Sequence, residues 1–262
     1  MRLLEYDSTN NIRLTENFSD DSTPHYAILS HTWGKEGTEV TFADLKDGTG
    51  IDKAGFEKIR FCGEQARRDR LAYFWVDTCC IDKSNNTELS EAINSMFRWY
   101  RNSARCYVYL SDVSGYPTDT EKGVGQKDIE DLRNSKWFTR GWTLQELLAP
   151  ESVEFFAKHG RRVGDKKSLE RHICEATSIP IAALRGTPLS NFQTAERLRW
   201  QDRRTTTRKE DKAYSLLGVC GVFMPLLYGE GEEESFRRLR NAINDRLKGR
   251  LPSKLLIEKH SH

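Results

Sequence analysis

Between Tyr26 and Ala157 the chain alternates between two hydrophobic patterns. Tyr26-Ala27-Ile28-Leu29-Ser30 is a short, almost wholly apolar run, as expected of a strand covered on both faces. Gly55 to Arg70 has helical spacing, with Phe56, Ile59, Cys62 and Ala66 on one side. Leu71 to Val76 reads as a second buried strand, ending at Asp77. Thr87 to Tyr100 places Leu89, Ile93, Met96, Phe97 and Tyr100 on one helical face, and Thr87 followed by Ser90-Glu91 predicts a capping box at its start. Cys106 to Leu110 is a third buried strand, running into Ser111-Asp112. A loop rich in Gly and Asp, Val113 to Lys127, leads to a helical stretch that Pro150 stops after Leu148. Ser152 to Ala157 reads as a fourth strand. This alternation predicts an α/β fold: a mostly parallel sheet flanked by helices, with right-handed crossovers.

The margins differ. Arg2-Leu3-Leu4 and Ile12-Arg13-Leu14 flank a polar turn, Asp7 to Asn11, and predict an N-terminal hairpin. Past the fourth strand, Lys167–Thr177, Ser190–Gln201, Lys209–Gly218 and Glu232–Leu247 read as helices, with Gly229-Glu230-Gly231 at the start of the last. The expected layout is an α/β core over residues 1–160, a helical C-terminal extension over 161–250, and a tail or linker over 251–262. That tail, Leu251 to His262, is polar and unpatterned, and is read as the point where a longer chain was cut.

A length of 262 residues suits one large domain or a domain with a subdomain, and is enough for a real core without disulfides. Lys and Arg total 41 against 39 Asp and Glu, so a net charge of +2 gives no reason to expect a nucleic-acid or polybasic membrane binder. No run approaches a transmembrane span, and Met1 to Asp7 holds no apolar signal segment, so a cytoplasmic location is expected. Cys62, Cys79, Cys80, Cys106, Cys174 and Cys220 form no CxxC pair, so no metal site is expected. They read as buried thiols, with a reactive thiol among Cys79, Cys80 and Cys106 as the alternative.

In open α/β sheets, ligands bind beyond the carboxyl ends of the strands. The first strand ends in Ser30-His31-Thr32-Trp33-Gly34, the second in Asp77-Thr78, the third in Ser111-Asp112. The helix before Pro150 carries Arg140, Trp142 and Glu146, and the last two, four apart, share a face. Such a rim suits a nucleotide-like ligand, with Arg on phosphate and aromatics on a base. Each residue also has a plain structural reading. His31 can be a hydrogen-bonded core residue, Trp33 and Trp142 packing, Asp77 a turn cap, and Glu146 a solvent-facing side chain. Asp82-Lys83 with Ser84-Asn85-Asn86 reads as a turn. Ser30, His31 and Asp77 make a poor hydrolase triad, because adjacent strand residues point to opposite faces. Arg204 or Arg208 paired with Asp211 would pin the extension to the sheet; alternatively Arg203, Arg204 and Arg208 reach a phosphate site.

Five ordered blocks carry a family resemblance: Tyr26–Gly34, Trp75–Lys83, Glu88–Met96, Trp137–Pro150 and Thr206–Gly218. They resemble the fungal heterokaryon-incompatibility (HET) domain, in particular the N-terminal domain of vegetative incompatibility proteins that continue into a NACHT module and WD repeats. The resemblance runs from Met1 to about Leu247 and implies a trigger of programmed cell death when unlike hyphae fuse. A second resemblance is to TIR domains, whose flavodoxin-like sheet it implies here. Ile28–Gly34 resembles the TIR segment "VFLSFRG", and Trp142–Leu147 is similar in spacing to "WCLDEL". In TIR enzymes that glutamate is needed to cleave the nicotinamide–ribose bond of NAD. The resemblance therefore implies Glu146 as catalytic residue and NAD as substrate, with no further cofactor. Ser30, His31, Trp33, Asp77, Arg140 and Trp142 would contact the substrate, and self-association would activate the domain. A non-enzymatic signalling domain that self-associates and recruits partners is the other reading. The long loop before the glutamate helix and the helical extension have no TIR counterpart. The chemistry is sound on its own terms: N-glycosidic cleavage builds positive charge on the ribose, which a carboxylate stabilises.

Overall fold

The computed structural model describes residues 1–114 and 125–249; most of the expected Gly/Asp-rich loop and the tail from Leu251 lie outside them. Seven strands form one sheet: β1 (Leu4–Tyr6), β2 (Ile12–Leu14), β3 (Tyr26–His31), β4 (Tyr73–Trp75), β5 (Arg105–Leu110), β6 (Val153–Ala157) and β7 (Arg162–Asp165), in the order β2-β1-β4-β3-β5-β6-β7. The central strands β4, β3, β5 and β6 are mutually parallel. The hairpin β1–β2 joins antiparallel to β4, and β7 closes the other edge antiparallel to β6. The sheet is therefore mostly, not wholly, parallel. In chain order, its parallel strands lie second-first-third-fourth.

The helices are α1 (Phe42–Lys46), α2 (Phe56–Arg68), α3 (Asn86–Asn102), α4 (Gln126–Arg133) and α5 (Thr143–Leu148), then α6 (Glu170–Thr177), α7 (Ile181–Leu184), α8 (Thr194–Arg199), α9 (Asp211–Tyr214), α10 (Leu217–Cys220) and α11 (Gly231–Leu247). Several boundaries depart from the hydrophobic pattern. The cap of α3 is Asn85, whose side chain accepts from the Thr87 and Glu88 amides, in place of the expected Thr87 box. The stretch before Pro150 is not continuous: α4, a 3-10 turn at Lys136–Thr139 and α5 divide it. Lys209–Gly218 likewise splits into α9 and part of α10. Strand β7 was not expected, because Arg162-Val163-Gly164-Asp165 is short and an edge strand needs only one buried face.

Both sheet faces are covered, and side chains alternate between them. From β3, the Tyr26 hydroxyl donates to the Trp99 carbonyl of α3 at 2.6 Å and Ser30 reaches α5. The next residue, His31, turns to Lys58 of α2. On β5, Cys106 points to α5 while the Tyr107 hydroxyl donates to Asp69 beyond α2 at 2.5 Å. All six residues of α5 are buried. Its carbonyl end is met by Lys166, whose Nζ donates to the Leu147 and Pro150 carbonyls at 3.3 and 2.5 Å. Burial pulls that ammonium down to about 8.

Candidate functional site

Glu146 sits mid-way along α5 and is only 7% exposed. The Ser30 hydroxyl donates to its Oε2 and accepts from the Trp137 indole N–H at 2.8 Å. An indole can only donate, so the single serine proton is committed to Glu146. Tyr100, whose hydroxyl donates to the Leu29 carbonyl at 2.9 Å, stands beside the same carboxyl. Burial pushes Glu146 up to about 8, and the Asp77 charge adds to this. The Ser30 bond, Arg204 and Tyr100 work the other way. In the free domain at neutral pH the carboxyl is mainly protonated.

Asp77, just past β4, is the opposite case. Its Oδ1 pairs with His31 Nε2 at 3.1 Å, its Oδ2 accepts from Trp33 Nε1 at 2.9 Å, and Lys83 Nζ lies 3.8 Å away. Burial opposes its charge, but Lys83, His31 and Trp33 together outweigh it and hold the carboxyl well below its usual range. His31 is itself oriented from behind. Lys58 Nζ lies 3.0 Å from its Nδ1 and also bonds the Thr32 carbonyl at 3.2 Å and Glu39. An ammonium only donates, so Nδ1 accepts and the network assigns the ring proton to Nε2, facing Asp77. The two carboxyl groups thus differ in protonation because their surroundings differ, a common basis for dividing acid and base roles.

Both carboxyl groups line one cavity of about 260 Å³. It is lined by Ile93, Met96 and Tyr100 of α3, by His31, Trp33, Asp77 and Lys83, by Arg140, Trp142 and Glu146, and by Thr205 to Arg208, Asp211 and Tyr228 from the extension. Of the residues singled out from sequence, His31, Trp33, Asp77, Arg140, Trp142 and Glu146 meet here. Ser30 stands behind Glu146. Asp112 does not join them: it accepts from the Ser135 hydroxyl and the Lys136 amide, both at 2.8 Å, and caps the 3-10 turn.

The sequence reading passed over Tyr100, which its helical period marked as core, and Lys83, which looked like part of a turn. It also passed over Thr205 to Thr207. These threonines reach the rim because the Gly141 amide donates to the Thr205 carbonyl at 2.9 Å. Their one sequence signal was the Thr206–Gly218 block. Arg204 proves structural. It is 3% exposed and donates to the Trp200 and Arg140 carbonyls and to Thr143 Oγ1, at 3.3, 2.9 and 2.8 Å. It therefore pins the extension to the start of α5, and not through Asp211. Asp211 accepts from the Tyr228 hydroxyl at 2.9 Å, while Arg208 lies over the Tyr228 ring at 4.1 Å. All six cysteines are free, and five are buried. Burial pushes the Cys79 and Cys106 thiols up, away from reactive thiolate. Among the described residues, no group of three His, Cys, Asp or Glu side chains is placed to hold a metal.

Residues 26–126 match the family model of the heterokaryon incompatibility protein (HET). The chain carries a HET domain. Over 243 residues, 93% of its length, it is 56% identical to the vegetative incompatibility protein HET-E-1 of Podospora anserina, and it spans 18% of that relative. No solved structure matches it. Within this HET domain the matched segment contributes His31, Trp33, Asp77, Lys83 and the α3 residues Ile93, Met96 and Tyr100 to the cavity; Arg140, Trp142, Glu146 and the extension residues lie beyond it. No helix among the described residues is long and apolar enough to cross a membrane.

Proposed function

We propose that this HET domain is a cell-death effector of vegetative incompatibility, acting in the cytoplasm, and that when self-associated it hydrolyses NAD at the nicotinamide–ribose bond. The observation that carries the reading is Glu146: a buried carboxyl on the wall of a cavity whose mouth offers aromatic rings and arginines. The parallel strand order supports the TIR-like, flavodoxin-like comparison. NAD is the substrate and no further cofactor is invoked. A NACHT module and WD repeats are proposed as accompanying modules, in keeping with the 18% of its relative that the chain spans.

In this reading the nicotinamide riboside half enters the cavity and the diphosphate stays at the rim, against Arg140 and the Thr205–Thr207 segment. The cationic ring beside Glu146 favours its ionised form, so the carboxyl releases its proton to solvent as the substrate binds. The C1′–N bond then breaks, its electron pair passing to the ring nitrogen. The carboxylate steadies the positive charge left on ribose. Water adds at C1′ and loses a proton to Glu146, giving ADP-ribose and neutral nicotinamide. Asp77, His31, Trp33 and Trp142 position the substrate, and Ser30 holds Glu146.

The test is nicotinamide release from NAD by purified protein, with and without forced oligomerisation. The reading expects turnover by the oligomer that disappears in Glu146→Ala. An inactive oligomer, together with undiminished toxicity of folded Glu146→Ala, overturns it in favour of a non-enzymatic recruiting domain.

A further inference from the structure

Three groups of unlike chemistry meet at the cavity mouth. The Trp33 indole N–H is tied to Asp77 Oδ2 at 2.9 Å, which fixes the ring although the residue remains 53% exposed. Over that ring, 3.8 Å from its centroid, lies the Lys83 ammonium. The same ammonium is 3.8 Å from Asp77 Oδ2. That distance exceeds a hydrogen bond, so charge and the π-face hold Lys83 here, not a directed bond. Its side chain is one-third exposed and rides on a flexible four-carbon stem. Trp33, Asp77 and Lys83 all line the cavity.

We propose that Trp33 and Asp77 form a subsite for a flat aromatic cation, and that in the free domain Lys83 occupies it as an internal competitor. A fixed indole face with a carboxylate at its edge attracts positive charge from two directions. A pyridinium ring satisfies both at once: its charge is spread over a plane that can stack, whereas an ammonium keeps most of its hydration. The subsite stands on Trp33, Asp77 and Lys83. Identifying its ring with the nicotinamide of NAD rests on the function proposed above.

Two consequences follow. Lys83 lowers the apparent affinity of the resting domain by the fraction of time it fills the subsite. A contact that draws Lys83 away, such as a second copy of the domain, would raise that affinity. Cleavage also converts the cationic ring into neutral nicotinamide, so the attraction ends with the reaction and Lys83 can return.

The experiment is calorimetric titration with N-methylnicotinamide, a permanent pyridinium cation, and with uncharged nicotinamide. The proteins are the wild type, Lys83→Met, Lys83→Arg and Trp33→Leu. Trp33 is exposed and Lys83 partly so, and thermal melts verify folding. Lys83→Met is expected to bind the cation about three- to sixfold more tightly than the wild type, the range a surface cation–π contact supports. Lys83→Arg binds it no better than the wild type, Trp33→Leu loses it, and uncharged nicotinamide, which gains nothing from Asp77, binds Lys83→Met more weakly than the cation does. Equal cation affinity in wild type and Lys83→Met overturns the proposal, as does undetectable cation binding to Lys83→Met. Because binding is read without turnover, the two readings fail separately. Lys83-dependent cation binding without NAD cleavage removes the hydrolase and keeps the subsite; NAD cleavage with Lys83-independent binding does the reverse.

Discussion

Ser30 and Glu146, 116 positions apart in the chain, are joined by one buried hydrogen bond in which the serine is the donor. Its direction is set by a third residue, Trp137, whose indole N–H fills the serine acceptor site. The penultimate residue of β3 thereby orients the carboxyl of α5.

Removing the serine hydroxyl leaves the Trp137 N–H buried and unpaired, and takes from Glu146 the donor that most favours its charge. Ser30→Ala is expected to lose about 1–3 kcal/mol in denaturant unfolding. It should also push the Glu146 titration further up, seen by carboxyl-resolved NMR. An unchanged midpoint would contradict this account of the pair.

Glu146 titrates near 4.5 when unfolded and at about 8 in the fold. Between those values the folded state binds the extra proton, so stability falls as pH rises from 4.5 and levels off above about 8. Glu146→Gln carries no such proton. Its Tm advantage over the wild type is expected to grow from pH 5 to pH 8 and then flatten, by scanning fluorimetry. A pH-independent gap would mean that the carboxyl is not desolvated.

Arg204 makes its bonds through three separate nitrogen–acceptor contacts, to Trp200, Arg140 and Thr143. A lysine cannot reproduce that fork. Arg204→Lys is expected to cost about 2–4 kcal/mol and to increase hydrogen exchange in α5. Protection of α5 equal to wild type would show that the extension is pinned elsewhere.

A methyl group on Gly141 would lie 2.4 Å from Thr206 Cγ2 and 2.7 Å from Gln201 Nε2. Gly141→Ala must therefore shift the Thr205–Thr207 rim, at about 1–3 kcal/mol. It is expected to weaken binding of the NAD diphosphate more than that of N-methylnicotinamide, measured by titration with each. Equal weakening of both would separate the threonine rim from phosphate contact.

The central sheet was legible because its strands are buried on both faces and read as apolar runs, such as Tyr26–Ser30 and Cys106–Leu110. Strand β7 and helix α7 were not, since each spans a single short segment with little period of its own. That the strand-end residues His31, Trp33 and Asp77 would meet at one cavity was legible from topology. The burial of Glu146 was not: its neighbours Leu144, Leu147 and Leu148 suggest a helix with one wet face. That face is closed by distant parts of the chain, Trp137, Tyr100 and the Arg204 staple, which no local pattern announces. Lys83 was hidden for a similar reason, since its meaning depends on a ring fifty residues earlier.

The most direct measurement is a crystal structure of the oligomerised domain with a non-hydrolysable NAD analogue. The account predicts the ribose C1′ within about 3–4 Å of a Glu146 carboxylate oxygen. It also predicts the nicotinamide ring on Trp33, with Lys83 displaced. An analogue bound with its ribose away from Glu146, or bound outside this cavity, would contradict it.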